Sequence, residues 1–200
     1  MSWIEDEAAL AALYGTPGPA STRKVADRLT DGYRRWIEAS RFAILATVGE
    51  GGVDASPRGD DGPVVRVADD RTLLLPDWRG NDRIDSLRNV VADGRVSLLF
   101  LAPGSGNVIR VRGRARVGVS PDLLASFERG GKRPRSVLAV SVEAVYFQCA
   151  RAVIRSGLWS AEPVEGLPTA GEMLAEASRG DEGGAEYDAA WAGRAARTMW

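Results

Sequence analysis

The chain has 200 residues, enough for one domain with a real core, and its 44% hydrophobic and 26% charged composition is that of an ordinary globular protein. It contains no histidine and one cysteine, which excludes a Ser-His-Asp triad, a Cys-His pair, an HExxH zinc site, a CxxC motif and any intrachain disulfide. The formal net charge of -1 supplies no global field for nucleic acid, no apolar run approaches the roughly 20 residues of a membrane span, and the acidic start Met1–Gly15 lacks the form of a signal peptide. The chain is expected to be soluble and cytoplasmic.

In chain order, residues 1–40 read as an N-terminal helical segment packed on the strand-rich part of the chain. Glu5–Tyr14 is helical, and Gly15–Pro19 breaks it. A second helix is predicted over Val25–Ala39, with Val25, Leu29, Tyr33, Trp36 and Ile37 on one face. Residues 41–156 read mainly as strands. Phe42–Val48 and Val53–Arg58 flank Glu50-Gly51-Gly52 as a hairpin, and Val64–Val67 with Thr72–Leu75 form a second. Arg95–Leu101, Val108–Val119 and Val137–Phe147 give three more. Helices interrupt them at Asp82–Ala92, with Asn81 as N-cap and Ile84, Leu87 and Val91 on one face, and after Ser120-Pro121. Residues 157–200 return to helix. There Thr169–Glu172 has the form of a capping box, Arg179–Gly184 reads as a linker, and Tyr187–Met199 as a last helix. The pattern predicts a single domain, mainly β with flanking helices (α+β), its strands forming a small barrel.

Four groups of residues are candidates for chemistry. Residues 100–160 carry ten Lys and Arg against three acids. Within them Arg110, Arg112, Arg114 and Arg116 alternate, so in a strand all four share one face and Val111, Gly113, Ala115 and Val117 the other. That face is either a solvated outer surface or a contact for a phosphate or a partner. The stretch Pro76-Asp77-Trp78-Arg79-Gly80-Asn81-Asp82-Arg83 joins a strand to a helix. Gly80 permits close backbone approach, and a helix start with Arg79 and Arg83 favours an anion, although an ordinary capped helix entry would look the same. Ser56–Asp60 ends a strand and projects Arg58, as a surface turn would. Cys149 is expected to be buried, and the six tryptophans to lie mostly in the core, with Trp159 singled out beside Arg155-Ser156.

Taken together, Ser56-Pro57-Arg58-Gly59-Asp60, Pro76-Asp77-Trp78-Arg79-Gly80-Asn81-Asp82-Arg83, Arg110-Val111-Arg112-Gly113-Arg114-Ala115 and Cys149–Trp159 carry a resemblance in their order along the chain. They resemble the pyridoxamine 5′-phosphate oxidase-like FMN-binding split-barrel family, and more narrowly a bacterial branch with the motifs SPRGD, PDxxGNxR, RVxGRA and RSxLW. The tail Leu167–Leu174 matches that branch as well.

The resemblance implies a split barrel over residues 41–156 and a homodimer with FMN at the subunit interface. It places Arg58 on the flavin phosphate, with Asn81 and Arg83 at two positions of a second phosphate cluster. Pro76, Asp77 and Gly80 belong to the same motif. Asp82 stands where the family often has a base, which leaves Arg79 as the substitute cation. Arg110, Arg112 or Arg155 would face the flavin's N1–C2=O edge, and Trp78 or Trp159 would cover the ring. No catalytic side chain is identified, and no metal is expected. The family's oxidases of vitamin B6 end in an Arg-x-His motif that this histidine-free chain lacks. The expected function is therefore an FMN-dependent oxidoreductase acting on another small molecule, with an electron donor as further partner. Deazaflavin F420 on the same barrel, or a non-catalytic flavin-binding or sensor protein, are the alternatives. Binding of nucleic acid or membrane is not expected.

Overall fold

A computed structural model describes residues 1–198. Seven strands form one antiparallel sheet: β1 (Phe42–Gly49), β2 (Gly52–Gly59), β3 (Arg66–Val67), β4 (Thr72–Asp77), β5 (Arg95–Leu101), β6 (Val108–Gly118) and β7 (Ser136–Gln148). Their spatial order is β2-β1-β5-β6-β7-β4-β3. The sheet coils around one core as a split barrel with flanking helices, an α+β fold.

Side-chain alternation drives the coiling. Ala43, Leu45, Val96, Leu98, Phe100, Ile109, Val111, Leu138 and Val140 point inward and are buried, while their neighbours in sequence point out. The arginine run behaves as its spacing predicts. Val111, Gly113 and Ala115 are buried, and Arg112, Arg114 and Arg116 are exposed. Pro57 lies within β2, where no ladder bond is lost because β2 is the sheet edge. Strand pairing therefore runs through Pro57, to Phe42 opposite Gly59.

The barrel is stitched at β6–β7, the longest pairing. The register shifts between Arg112 and Gly113, so that Arg112 faces Ala144, Gly113 faces Val142, and Glu143 bulges out. A Cβ at Gly113 would lie 1.9 Å from the Ser141 carbonyl oxygen, so the glycine is required by close approach.

The helices are α1 (Glu7–Ala12), α2 (Pro19–Arg23), α3 (Asp31–Glu38), α4 (Asp85–Ala92), α5 (Pro121–Ala125), α6 (Arg151–Ser156), α7 (Ala170–Ala177), α8 (Gly184–Ala189) and α9 (Trp191–Thr198). Several differ from the sequence expectation. The helix predicted from Val25 begins only at Asp31, capped by the Thr30 hydroxyl. The preceding stretch is claimed by the sheet, because Ala26 bridges Val145 and the Leu29 amide donates to the Asp70 carbonyl. Residues 19–23, within and just after the predicted break, form α2. The short α6 interrupts the segment taken as mainly strand. The predicted last helix is split at Ala190, and its Met199 lies outside the described residues. The Thr169–Glu172 capping box is present as expected.

None of the five described tryptophans is fully buried, and Trp3 and Trp191 are 77% and 63% exposed. They sit on terminal helices or loops rather than on the inward positions of strands. Trp200 lies outside the described residues. Cys149 is likewise exposed, at the end of β7 beyond the barrel core. The Arg151 backbone amide donates to its sulfur and holds the thiol below its usual range.

Gly113→Ala is expected to destabilise the fold by about 1–3 kcal/mol through overpacking. Gly51→Ala, with nothing within 4 Å of the added Cβ, is expected to be neutral. Urea denaturation of the two variants checks this.

Candidate functional site

The principal cavity, about 670 Å³, lies where β2, the β4–α4 loop and the entry to β7 meet. That volume falls within the range of small-molecule sites. β2 contributes Asp54, Ser56 and Arg58. The end of β4 contributes Asp77, and the loop Trp78, Gly80, Asn81, Asp82, Arg83 and Ile84. Helix α4 contributes Asp85, Ser86 and Leu87, and the β7 entry Arg135 and Ser136. The sheet register creates this meeting point: Asp77 pairs with Ser136 across β4 and β7, and the Arg135 amide donates to the Asp77 carbonyl at 3.1 Å.

The loop has an unusual backbone. Asp82 and Ile84 adopt φ of 60° and 52°, left-handed conformations that side chains disfavour. Helix α4 therefore starts at Asp85, three residues later than the sequence suggests. Its N-cap is Ile84, which offers no side-chain hydrogen bond. Asn81 is not the cap; its Oδ1 accepts from the Arg83 amide at 3.2 Å instead. The later start also rotates the helix. Ser86 and Val90 are buried, while Ile84 and Val91 are exposed. The uncapped end leaves backbone donors at the cavity.

Charge in the cavity is balanced rather than one-sided. Among the described residues lining it, four aspartates face three arginines. Arg58 Nη1 donates to Asp77 Oδ1 at 2.8 Å, with both side chains mostly buried. Arg83 pairs with Asp85 at 2.8 Å and Arg135 with Asp82 at 2.5 Å. Among the described residues, three side-chain polar atoms are buried without any partner: Arg58 Nε, Trp78 Nε1 and Ser136 Oγ. All three belong to residues of this cavity. Buried donors of this kind are otherwise nearly always satisfied, and leaving one unmade costs about 1–3 kcal/mol. A cofactor with phosphate and heteroaromatic edges fits this donor set. A Cβ at Gly80 would meet nothing within 4 Å, so the chain's own packing does not require that glycine.

The structure thus brings Arg58, Asp77, Gly80, Asn81 and Arg83 together. Pro76 faces a second hollow of about 470 Å³, lined also by Arg66, Phe127 and Arg129. Arg79 is on the loop but exposed and outside the cavity lining. Arg110 lies on the outer sheet face, 5.2 Å from the Tyr146 ring centre. Arg112 lines an outer-face hollow with Glu143. Arg155 is exposed on α6, and Trp159 Nε1 donates to the Ser105 carbonyl at 2.7 Å. Sequence reasoning missed Arg135 and Ser136, which the run Lys132-Arg133-Pro134-Arg135-Ser136 signals only as basic. It also missed Ser86 and Asp54, 3.5 Å apart.

A family model described as "Pyridoxamine 5'-phosphate oxidase" matches residues 29–149. The chain belongs to the pyridoxamine 5′-phosphate oxidase family. That match takes in β1–β7 and the principal cavity. A search of curated proteins found no match. Among solved structures the chain is similar to HupZ of Group A Streptococcus, with 18% identity over 58% of this chain and 91% of that one, TM-score 0.48. It is similar to an FMN-binding protein from Syntrophomonas wolfei, with 15% identity over 57% and 82%, TM-score 0.43. It is also similar to an FAD binding protein from Mycobacterium smegmatis, with 15% identity over 62% and 97%, TM-score 0.43. No helix among the described residues is long and apolar enough to cross a membrane.

The outer face has its own charge problem. Arg95 and Arg114 stand directly opposite each other on β5 and β6, a repulsive pairing. Asp93 resolves it. Its carboxylate takes two bonds from Arg95, and its carbonyl takes one from Arg114 at 2.8 Å. The Arg95 guanidinium foremost, then the Arg95 backbone amide, holds the Asp93 carboxyl down to about 2, from an ordinary 3.8.

Because this folded-state value is depressed, the stabilisation is complete above the ordinary value and is lost as pH falls from 3.8 through about 2. A carboxyl-carbon NMR titration is expected to place Asp93 near 2, and Arg95→Gln to return it toward the ordinary value.

Proposed function

We propose that the principal cavity binds FMN and that the protein is an FMN-dependent oxidoreductase of a small molecule other than a B6 vitamer. The observation that carries this is the set of three buried, unpartnered polar atoms (Arg58 Nε, Trp78 Nε1 and Ser136 Oγ) around one cavity in a chain of this family.

When bound, the isoalloxazine supplies the electron chemistry, for which the histidine-free chain needs no acid–base dyad. The chain's residues bind and orient. Arg58 and Arg83, with Asn81 and the uncapped start of α4, neutralise and fix the phosphate; Arg79 adds long-range charge. Asp77 keeps the Arg58 guanidinium in place, and Pro76 stiffens the strand end before it. The open space at Gly80 admits the ligand against the backbone. The Trp78 indole offers a hydrogen bond to a polar edge of the ring, and the Ser136 hydroxyl one to the phosphate. Buried Ser86 and half-buried Leu87 narrow access of water.

The same reading includes a homodimer. The outer faces of β1 and β5 present Phe42, Ile44, Leu99 and Leu101, all at least partly exposed, and a second copy would cover them. Arg110, Arg112, Arg155 and Trp159 lie off the cavity and face a flavin only if a second copy supplies them. The reading places the protein in the cytoplasm, where reduced Cys149 persists.

Protein purified without added cofactor is expected to show a flavin spectrum and to release FMN by mass. A mass of FAD or F420 replaces the cofactor, and a colourless protein that also ignores added FMN overturns the proposal. Arg58→Gln is expected to weaken FMN about tenfold or more, since hydrogen bonds to charged groups contribute about 1.5–3 kcal/mol. Sedimentation equilibrium is expected to give twice the chain mass, and Leu99→Glu to give the monomer.

A further inference from the structure

Each arginine of the cavity already holds a carboxylate of the cavity wall, but the three pairs are not alike. Arg58–Asp77 is mostly buried, with 22% and 16% side-chain exposure. Arg135–Asp82 is open, with 59% and 64%. An exposed ion pair contributes little to stability.

The loop that supplies this weak pair is also held at a cost. Asp82 has φ of 60°, and Ile84, two positions on, has φ of 52°. Left-handed geometry is disfavoured for the branched Ile84, while an aspartate takes it more readily. A costly backbone therefore presents a carboxylate to a guanidinium that gains little from it. Next along the chain from Arg135 is Ser136, which is 5% exposed and whose Oγ has no partner. Both residues line the same cavity. An anion seated there would take the guanidinium of one and the hydroxyl of the other.

We propose that Arg135 is an anion-binding residue of this cavity, that Asp82 is its resident counter-ion, and that a phosphate dianion enters by displacing the Asp82 carboxylate. The inference rests on reading the cavity as a site for a phosphate-bearing ligand, and it adds a residue and its counter-ion to that reading. A carboxylate ligand gains almost nothing by exchange, since it replaces one carboxylate with another. A phosphate monoester carries about -1.5 to -2 at neutral pH and three acceptor oxygens. It holds the Arg135 fork and still has an oxygen for the Ser136 hydroxyl. Asp82 thereby weakens every entering anion by the same factor, and among them a phosphate monoester, with its greater charge and further acceptor, still binds. The same displacement frees the loop to relax from its left-handed residues.

The test is a double-mutant cycle read by calorimetry, with inorganic phosphate and FMN as probes and acetate as the monoanion. Asn tolerates left-handed backbone, so Asp82→Asn removes the charge and keeps the loop. Both side chains are more than half exposed, so folding is not at risk. Asp82→Asn is expected to bind phosphate and FMN about three- to tenfold more tightly, and Arg135→Gln about tenfold more weakly, in keeping with charge-assisted bonds. In the Arg135→Gln background the gain from Asp82→Asn is expected to vanish. Acetate is expected to bind far more weakly than phosphate in the parent and in Asp82→Asn alike. Unchanged or weaker binding by Asp82→Asn overturns the proposal, as does an equal gain without Arg135. If phosphate shows the cycle and FMN binds no form, the exchange stands and the flavin reading falls. If neither probe binds any form, both fall.

Discussion

The pairing of β6 with β7 is the constraint on which the other parts depend. It joins the sheet's two halves, β2-β1-β5 on one side and β4-β3 on the other. Its register is fixed where Gly113 lies against the Ser141 carbonyl and Glu143 is expelled as a bulge. A slip of one residue would turn Val111 and Ala115 outward and bury arginines. The same register runs on through β7 to its start, sets Ser136 opposite Asp77, and so closes one wall of the cavity. A packing requirement in the middle of the barrel thus determines the geometry of a polar site at its end.

The cavity stores unmet hydrogen-bonding capacity beside self-neutralised charge. Pairing every lining arginine with an aspartate lets the site fold without a cluster of repelling cations. It also makes any entering anion compete with carboxylates already present. The partnerless Arg58 Nε, Trp78 Nε1 and Ser136 Oγ carry the opposite bias, because their desolvation has already been incurred in folding. Binding there recovers what folding left unmade. The outer face solves a related problem differently. There Asp93 bridges two facing arginines of adjacent interior strands, and the carboxylate offsets their like charges.

Much of the barrel was legible in the chain. The alternation of Arg110–Arg116 fixed both faces of β6, and the turn Glu50-Gly51-Gly52 marked the first hairpin. The resemblance in the motifs around Arg58 and Asn81 pointed to residues that do share one cavity. Helix boundaries were less legible. Val25 and Leu29 had helical spacing, yet Ala26 and Leu29 are bonded to the sheet and its turn, a long-range competition that local periodicity does not register. The start of α4 was missed because Asp82 and Ile84 take left-handed backbone, which for a branched residue such as Ile84 propensity argues against by construction. Tryptophans were assigned to the core by residue type, whereas exposure depends on the element that carries them.

The sequence by itself determined the strands, their inward faces, the absence of histidine chemistry and the basic character of residues 100–160. These are properties of spacing and composition, and each residue carries them locally. Only the tertiary structure decided which charges meet. Arg58 finds Asp77 nineteen residues away, Arg135 finds Asp82 across fifty-three, and Ser136 is buried without a partner. Such contacts depend on the register and curvature of the whole sheet, because a hydrogen bond is made or lost within about an ångström and no local pattern specifies position that closely.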